Sequence, residues 1–126
     1  MSKEHLKGER EESRSYSRAV KVRGGTTVYL AGVGGATDAA GNALDFAAQT
    51  RATFGRLKDN LEAAGGTLAD VTTMTVFITD VRFGDEFTQI RKEFFDSDYP
   101  GSALITVQGL ARPEMLVEIQ AIAVID

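Results

Sequence analysis

The sequence predicts an α+β fold with the element order ββαβαββ, in which a mixed sheet carries two helices on one face. The first observation is that five segments are rich in Val and Ile or alternate between apolar and polar residues, as strands do. The second is that two further segments show the period of a helix. These helices stand between strands at lengths suited to right-handed crossovers, which places both of them on the same side of the sheet.

The chain opens with a predicted hairpin. Residues 15–22 and 27–31 read as strands, and Gly24 and Gly25 supply the turn signal between them. Ahead of the hairpin, residues 1–14 are dense in charge and hold only Leu6 as a sizeable aliphatic residue beyond Met1. Because such a segment buries too little apolar surface to order itself, we expect a flexible charged arm before a single domain over residues 15–126.

The middle of the chain predicts two amphipathic helices with a strand between them. In residues 42–64 one stripe is apolar, and Gly65 and Gly66 mark its C-terminal end. In residues 85–95 aromatic and aliphatic side chains recur three and four residues apart. Residues 71–79 alternate between an apolar face and a Thr-rich face, which is typical of a half-buried strand. The stripe of the first helix consists of Ala47, Phe54, Leu57, Leu61 and Ala64.

The last two predicted strands are residues 102–110 and 115–125, joined by a short turn that contains Arg112. In the second strand one face is wholly apolar, whereas the other face is mostly apolar but carries Glu118. An ionised carboxylate there must be solvated in a pocket or held by a partner, because burying it alone is costly. Glu118 is therefore the first candidate functional residue, and a salt bridge to a neighbouring subunit is the alternative.

Composition removes several classes of function. The chain has no Cys, so disulfides, zinc–thiolate sites and thiol nucleophiles are excluded. Its single His, His5, lies in the charged arm, which argues against His-based triads and multi-His metal sites. A net charge of −4 without a Lys/Arg run argues against a nucleic-acid surface. No apolar run approaches the roughly 18 residues of a membrane helix, so we expect a soluble cytoplasmic protein with no membrane partner.

The sheet face opposite the helices is expected to need a cover. The residues assigned to this face leave more apolar surface than a monomer normally exposes. We therefore expect a closed homo-oligomer that packs sheet against sheet. The assigned residues are Ser102, Leu104, Thr106, Gln108 and Leu110 on one closing strand, and Leu116, Ile122 and Val124 on the other.

Several fragments, taken in order and spacing, resemble the RidA/YjgF (reactive intermediate deaminase, or L-PSP) family over essentially the whole chain after Ser15. The resemblance implies a chorismate-mutase-like fold and a homotrimer whose sheets form a central barrel with ligand clefts between subunits. It also implies hydrolysis of reactive enamines and imines, such as 2-aminoacrylate, to a 2-oxo acid and ammonia, with no metal or cofactor. The fragments are Gln49-Thr-Arg, Asn60-Leu-Glu-Ala-Ala-Gly65, Val71-Thr-Thr-Met-Thr-Val-Phe-Ile-Thr-Asp80, Phe94-Phe95, Pro100 and Val117-Glu-Ile with Ala121-Ile-Ala-Val124.

The resemblance further implies the residues of the site. The family's archetype combines a Tyr ahead of the first strand, a Gly that closes the second, an Arg on the fourth that clamps the substrate carboxylate, and a Glu on the last. Tyr16, Gly32 and Glu118 match three of these positions, with Glu118 as acid/base in a cleft between subunits. Ser102 stands where the archetype has its Arg, and we expect it to contact the substrate or a water.

The exchange of Arg for Ser102 has energetic consequences. A desolvated bidentate Arg–carboxylate pair is worth on the order of several kcal/mol, whereas one neutral hydrogen bond adds about 1 kcal/mol net. The archetypal reaction should therefore be slow unless another cation substitutes. Arg18 is the first candidate, since it projects to the same side as Tyr16 in an extended segment, and a plain surface charge is the alternative. Arg112 is a weaker candidate because we expect it to be exposed to solvent.

Three functions are compatible with these residues. The first is a metal-free deaminase-type hydrolase of another carboxylated enamine or imine, for example an aminomuconate-like intermediate. The second is a non-catalytic trimeric protein that binds a small molecule or has a regulatory role. Such a protein would keep the cleft but lack the clamp arginine. The third, a ribonuclease, rests on an older name of the family and is disfavoured by the acidic balance and the absence of an ordered His.

Overall fold

The computed structural model describes all residues, 1–126. From the second strand onward the element order is ββαβαββ, as the sequence predicts. Two short 3₁₀ helices, Leu68–Asp70 and Val81–Phe83, precede β4 and α3. In chain order the strands and helices are β1 (Ser2–Leu6), α1 (Glu9–Ser13), β2 (Ala19–Arg23), β3 (Thr26–Tyr29), α2 (Phe46–Ala63), β4 (Val71–Ile78), α3 (Gly84–Arg91), β5 (Gly101–Thr106) and β6 (Val117–Ile125).

The main sheet has four strands in the order β3-β6-β4-β5. β4 runs parallel to β5, and β6 runs antiparallel to both β3 and β4, which makes the sheet mixed as predicted. The long helix α2 packs on β6 and on α3. Met74, Val76 and Ile78 of β4 are buried under this layer, so the alternation predicted for that strand is confirmed.

α2 owes its position to its cap and its apolar stripe. It begins at Phe46, later than predicted, because the Asp45 carboxylate accepts a hydrogen bond from the Ala48 amide and so caps the helix. It ends before Gly65, whose φ of 90° is left-handed. Phe54 and Leu57 of the predicted stripe have no exposed surface. No helix of the chain combines the length and the apolar character that crossing a membrane requires.

α3 is shorter than the predicted helix over residues 85–95. Beyond Arg91 the amides of Lys92 and Glu93 bond to carbonyls three residues back, which tightens the last turn and ends the regular helix. The predicted aromatic residues still pack inward, since the Phe94 ring stacks on Phe54 at 4.5 Å between centroids. The periodicity therefore located the packing face correctly but overran the end of the helix.

The expectation that residues 1–14 form an arm without structure is wrong. They contain β1 and α1, and β1 pairs antiparallel with β2 along its whole length. The Lys3 ammonium donates to the carbonyl oxygen of Asp70 at 3.1 Å, and Lys7 pairs with Asp98 at 3.5 Å. The segment is ordered because its backbone forms hydrogen bonds with β2 and its charged side chains pair with groups on the protein surface. These interactions require little burial of apolar surface.

The predicted hairpin between residues 15–22 and 27–31 is also wrong. β2 pairs with β1, and β3 pairs with β6. The start of β2 is drawn toward β5, at the other edge of the sheet from β3, because the Ser17 amide donates to the Pro100 carbonyl at 2.9 Å and Ser17 bridges Gly101. The local Gly-Gly turn signal carries no information about these distant partners.

The two closing strands differ from the prediction in their pairing and in their faces. β5 and β6 do not form a hairpin, because β4 lies between them. The register sets Ser102 beside Met74 and Leu104 beside Val76, so both lie on the helix side of the sheet rather than on the open side. Ile105 occupies the open side instead. The assignment failed because β5 is an edge strand that is partly exposed on both faces, so its alternation is weak.

Candidate functional site

Glu118 lies on the open face of the sheet, directly against Gly32. The register pairs Glu118 with Phe77 of β4, whose side chain faces away from the helices. A Cβ atom at position 32 would lie 2.5 Å from Glu118 Oε2, so only glycine leaves room for this carboxylate. Glu118 is half-buried and takes part in no salt bridge of the chain. The structure therefore brings together two of the predicted site residues and leaves the carboxylate without a charged partner.

Tyr16 and Ser102 meet in a different place, a cavity of about 220 Å³ at the edge of the sheet. The cavity also contains a residue that the sequence analysis did not single out, Arg91 of α3. Its lining thus combines a phenol, a hydroxyl and a buried guanidinium. The residues that line it are Arg14, Tyr16, Thr88, Arg91, Ser102 and Leu104.

The Arg91 side chain is held by neutral groups only. The residue is 2% exposed. Its Nη1 donates to Ser102 Oγ at 2.6 Å, its Nε to Ser15 Oγ at 3.0 Å, and its Nη2 to the Arg14 carbonyl at 3.2 Å. The guanidinium carbon lies 5.1 Å from the centre of the Phe87 ring, within range of a cation–π contact. None of these partners carries a negative charge.

The electrostatics of the cavity are set by arginine. Burial, and secondly the nearby Arg14 cation, lower the pKa of Arg91 to about 10, so the guanidinium stays charged at neutral pH. Arg14 itself pairs with Asp85 at 3.1 Å on the surface. No cluster of three or more His, Cys, Asp or Glu side chains in the chain could hold a metal ion. The cavity is thus a positively charged site.

The sequence contains a signal for Arg91 that was not used. Arg91 follows Phe87 by four residues and precedes Phe94 by three, so it falls on the apolar stripe of α3 rather than on its solvated face. A charged residue on an apolar stripe must find a polar environment after burial. The periodicity of α3 therefore indicates a buried arginine at position 91.

The other predicted cations lie outside this cavity. The Arg18 side chain is 70% exposed and pairs with Glu11 at 3.4 Å. Arg112 is exposed and lines a separate surface cavity of about 400 Å³ together with Arg56 and the loop at Gly34. A clamp role for Arg18 or Arg112 stays a prediction that no contact within the chain supports.

Within one chain the two groups of site residues are kept apart. Glu118 and Gly32 lie on the open face of the sheet, whereas Ser102 lies on the helix side, on the far side of β4. Paired residues of neighbouring strands share a face, so the register itself separates Glu118 from Ser102. A single chain therefore presents a carboxylate site and a cationic cavity as two separate parts.

The fold and the sequence can now be compared with known proteins. The family model described as endoribonuclease L-PSP matches residues 9–125. YyfB of Yersinia pestis, a Rid family protein of unknown function, is similar at 30% identity and a TM-score of 0.85 over 99% of this chain and 100% of that one. A member of the YjgF/YER057c/UK114 family from Mycobacterium tuberculosis is 33% identical, with a TM-score of 0.72 over 98% of this chain and 100% of that one. RidA from an Antarctic Psychrobacter is 33% identical, with a TM-score of 0.73 over 88% of this chain and 89% of that one. The chain therefore belongs to the Rid (YjgF/YER057c/UK114) family.

Proposed function

We propose that this chain is a deaminase-type hydrolase that acts on a reactive enamine or imine, with Glu118 as the acid/base. The observation that carries the proposal is a half-buried carboxylate with no charged partner, placed against a glycine that leaves its oxygens accessible. A general base must be able to reach a water or substrate proton, and an engaged structural carboxylate could not. Membership of the Rid family and the name of the similar RidA protein support the same reaction class.

The chemistry requires one proton carrier and one water. Glu118 accepts a proton from water as the oxygen adds to the imine carbon and breaks the C=N π bond. The same carboxyl group returns that proton to the nitrogen, which gives a carbinolamine. It then carries the hydroxyl proton to the amino group, and ammonia leaves as the C–N bond breaks and the carbonyl forms. An enamine first takes up a proton on its terminal carbon and so becomes the imine. Water and substrate together account for all atoms of the carbonyl product and ammonia.

A complete site in this proposal requires a second copy of the chain. Within one chain, Glu118 and the cavity around Tyr16 lie on opposite faces of the sheet. A complete cleft would therefore combine Glu118 of one subunit with the edge cavity of its neighbour. The open face also exposes large side chains, with Tyr29 78% and Ile105 41% exposed. We therefore retain the homotrimer with clefts between subunits as part of the proposal.

The direct test is an assay for ammonia release. Enamines and imines are generated in situ by an amino-acid oxidase, and ammonia and 2-oxo acid are measured with the wild-type chain, with heat-inactivated chain and with buffer. We expect the native chain to accelerate release above both controls for at least one carboxylated substrate. Rates equal to buffer across a panel that includes 2-aminoacrylate and larger side chains would exclude the hydrolase.

A non-catalytic small-molecule-binding protein is the second candidate. It is favoured by Ser102, which stands at the position where the family archetype has its clamp arginine. Such a protein would bind a carboxylate and show no acceleration in the ammonia assay. The same panel of substrates, followed by ligand binding, therefore separates the two candidates.

Replacing Gly32 by Ala is expected to reduce the hydrolysis rate while leaving folding almost unchanged. The new methyl group would lie 2.5 Å from Glu118 Oε2 and must displace it. The displaced atom is the mobile end of a side chain, so the cost in stability is small, about 1 kcal/mol or less, whereas a misplaced acid/base costs on the order of 10²-fold in rate. The checks are the turnover number and the thermal midpoint. Unchanged turnover would show that Glu118 does not work in its present position.

Replacing Ile105 by Lys is expected to convert the trimer into monomers at micromolar concentration. Ile105 lies on the open face of β5, and a lysine there would place an ammonium ion in the apolar contact between sheets. The matched control is Val81→Lys, since Val81 is another aliphatic residue, 73% exposed, in the short 3₁₀ helix before α3 and outside the sheet. Sedimentation velocity measures both variants. A monomeric wild-type chain would exclude the assembly.

A further inference from the structure

We propose that Arg91 binds the carboxylate of the ligand in the cavity that Tyr16 and Ser102 line, so that the ligand is a small organic acid whose carboxylate faces α3. The inference rests on the proposed function for the reaction, whereas the binding of the carboxylate is argued from the surroundings of Arg91. It assigns to α3 the carboxylate clamp for which the sequence indicated Arg18 and, more weakly, Arg112.

Arg91 carries a charge that has no anionic partner in the chain. Arg91 is 2% exposed, and it takes part in no salt bridge of the chain. Its hydrogen-bond partners are hydroxyl and carbonyl oxygens, with one weak contact to the Met74 sulfur. A cation taken out of water without an anion is costly, and proteins normally pair it. An anionic ligand supplies the missing charge.

The cavity has the charge and the size of a site for a small anion. Its charged lining residues are Arg14 and Arg91, and no Asp or Glu lines it. The volume of about 220 Å³ is below the roughly 300–1,000 Å³ of pockets for drug-sized ligands. These two properties select an anion of a few carbon atoms. Tyr16, Thr88 and Ser102 add hydroxyl groups that can orient the rest of such a molecule.

The backbone of Ser15 is strained next to Arg91. Its φ of 61° is left-handed, which is uncommon for a residue other than glycine, and the residue is completely buried. The Ser15 hydroxyl donates to the Thr88 carbonyl at 2.7 Å and accepts from Arg91 Nε at 3.0 Å. Strained residues of this kind persist where the surroundings impose them, and they cluster at ligand sites. Here the strained residue fixes the orientation of the guanidinium.

Ser102 directly contacts the guanidinium of Arg91. Its Oγ accepts from Arg91 Nη1 at 2.6 Å, and the register sets it on the same side of the sheet as α3. An arginine at position 102 would bring a second guanidinium against Arg91, which like charges disfavour. The short serine avoids this repulsion, and its hydroxyl accepts a hydrogen bond from Arg91 of the helix. The loss of a cation on β5 and the presence of one on α3 are thus linked.

Binding of two matched probes tests the inference. Pyruvate and the uncharged pyruvamide are titrated into the full-length chain by isothermal titration calorimetry. We expect pyruvate to bind about tenfold or more tightly than pyruvamide, because only the charged probe forms a charge-assisted hydrogen bond and an ion pair with the guanidinium. Arg91→Gln should remove this preference by weakening pyruvate alone. Arg82→Gln, at an exposed arginine that pairs with Asp80, should leave both affinities unchanged.

A rescue separates binding from a structural role. Moving the guanidinium back to the strand, in the double variant Arg91→Gln/Ser102→Arg, should restore most of the preference for pyruvate, which a merely structural arginine would not do. Circular dichroism checks folding, and if Arg91→Gln does not fold, Arg91→Lys takes its place, with about a tenfold loss of pyruvate affinity expected from the lost fork geometry. A folded Arg91→Gln that binds pyruvate like the wild type would overturn the inference.

The remaining outcomes distinguish this inference from the proposed function. If the wild type binds neither probe, or binds both equally, Arg91 is not a carboxylate site, even if hydrolysis is observed. Equal hydrolysis rates for neutral and carboxylated imines would likewise overturn the inference and leave the hydrolase standing. Selective binding of pyruvate without any release of ammonia would support Arg91 and exclude the hydrolase.

Discussion

Replacing Glu118 by Gln is expected to lower the rate of imine hydrolysis by about 10²–10⁴-fold, the usual contribution of a general acid or base. The amide keeps the shape of the carboxylate but neither accepts the proton of the attacking water nor returns it to the departing nitrogen. Ammonia release under saturating substrate measures the effect. We expect the turnover number to fall and the Michaelis constant to change little, because carboxylate binding depends on other groups.

The fold should tolerate this change. Glu118 is half-buried and takes part in no salt bridge of the chain, so the substitution leaves no buried charge without a partner. Glu62→Gln on the exposed face of α2 is the matched control and should keep full activity. Activity of Glu118→Gln within twofold of the wild type, in a folded protein, would contradict the catalytic role of Glu118.

The sequence predicted best where local periodicity and burial agree. The alternation of residues 71–79 reproduces β4 because every second side chain enters the core, as Met74 and Val76 do. The stripe of α2 was found for the same reason, since Phe54 and Leu57 face a packed layer. Interior elements read reliably because one physical requirement, apolar burial on one face, decides both their type and their orientation.

Prediction failed where partners come from far along the chain. β1 is charged and would not fold alone, but its backbone is satisfied by β2, and Lys3 reaches Asp70, 67 residues away. β5 lies at an edge, so its alternation did not show which side Ser102 faces. Pairing between strands is a nonlocal property, and no window of sequence around these segments contains it.

The residues of the candidate site were likewise predicted only in part. Glu118 was predicted from the alternation of its strand, whereas Tyr16 and Gly32 were found by resemblance. The structure sets Gly32 against Glu118 and Tyr16 beside Ser102. Arg91 was missed because an arginine on a helix is normally a surface charge. Its position on the apolar stripe of α3 indicates burial, and the three-dimensional arrangement adds that position 102 is small where the guanidinium lies.

The second large effect concerns Phe54, which anchors α2 on α3. Phe54 has no exposed surface and stacks on Phe94 at 4.5 Å and on Phe87 at 5.8 Å between ring centroids. Replacing it by Ala should lower the free energy of unfolding by about 3–5 kcal/mol, because the cavity left behind adds to the lost transfer free energy. Set against a typical total of about 5–15 kcal/mol, this is a major loss.

Urea unfolding at one fixed protein concentration measures this loss, and the fixed concentration keeps the proposed self-association from altering the comparison. Val81→Ala, at an exposed residue, should stay within about 0.5 kcal/mol of the wild type. Phe87 lies beneath the Arg91 guanidinium, so a loosened Phe54 contact should also weaken pyruvate binding in the variant while it remains folded. A loss below about 1 kcal/mol would mean that the neighbouring rings close over the gap, and pyruvate affinity should then stay at the wild-type value.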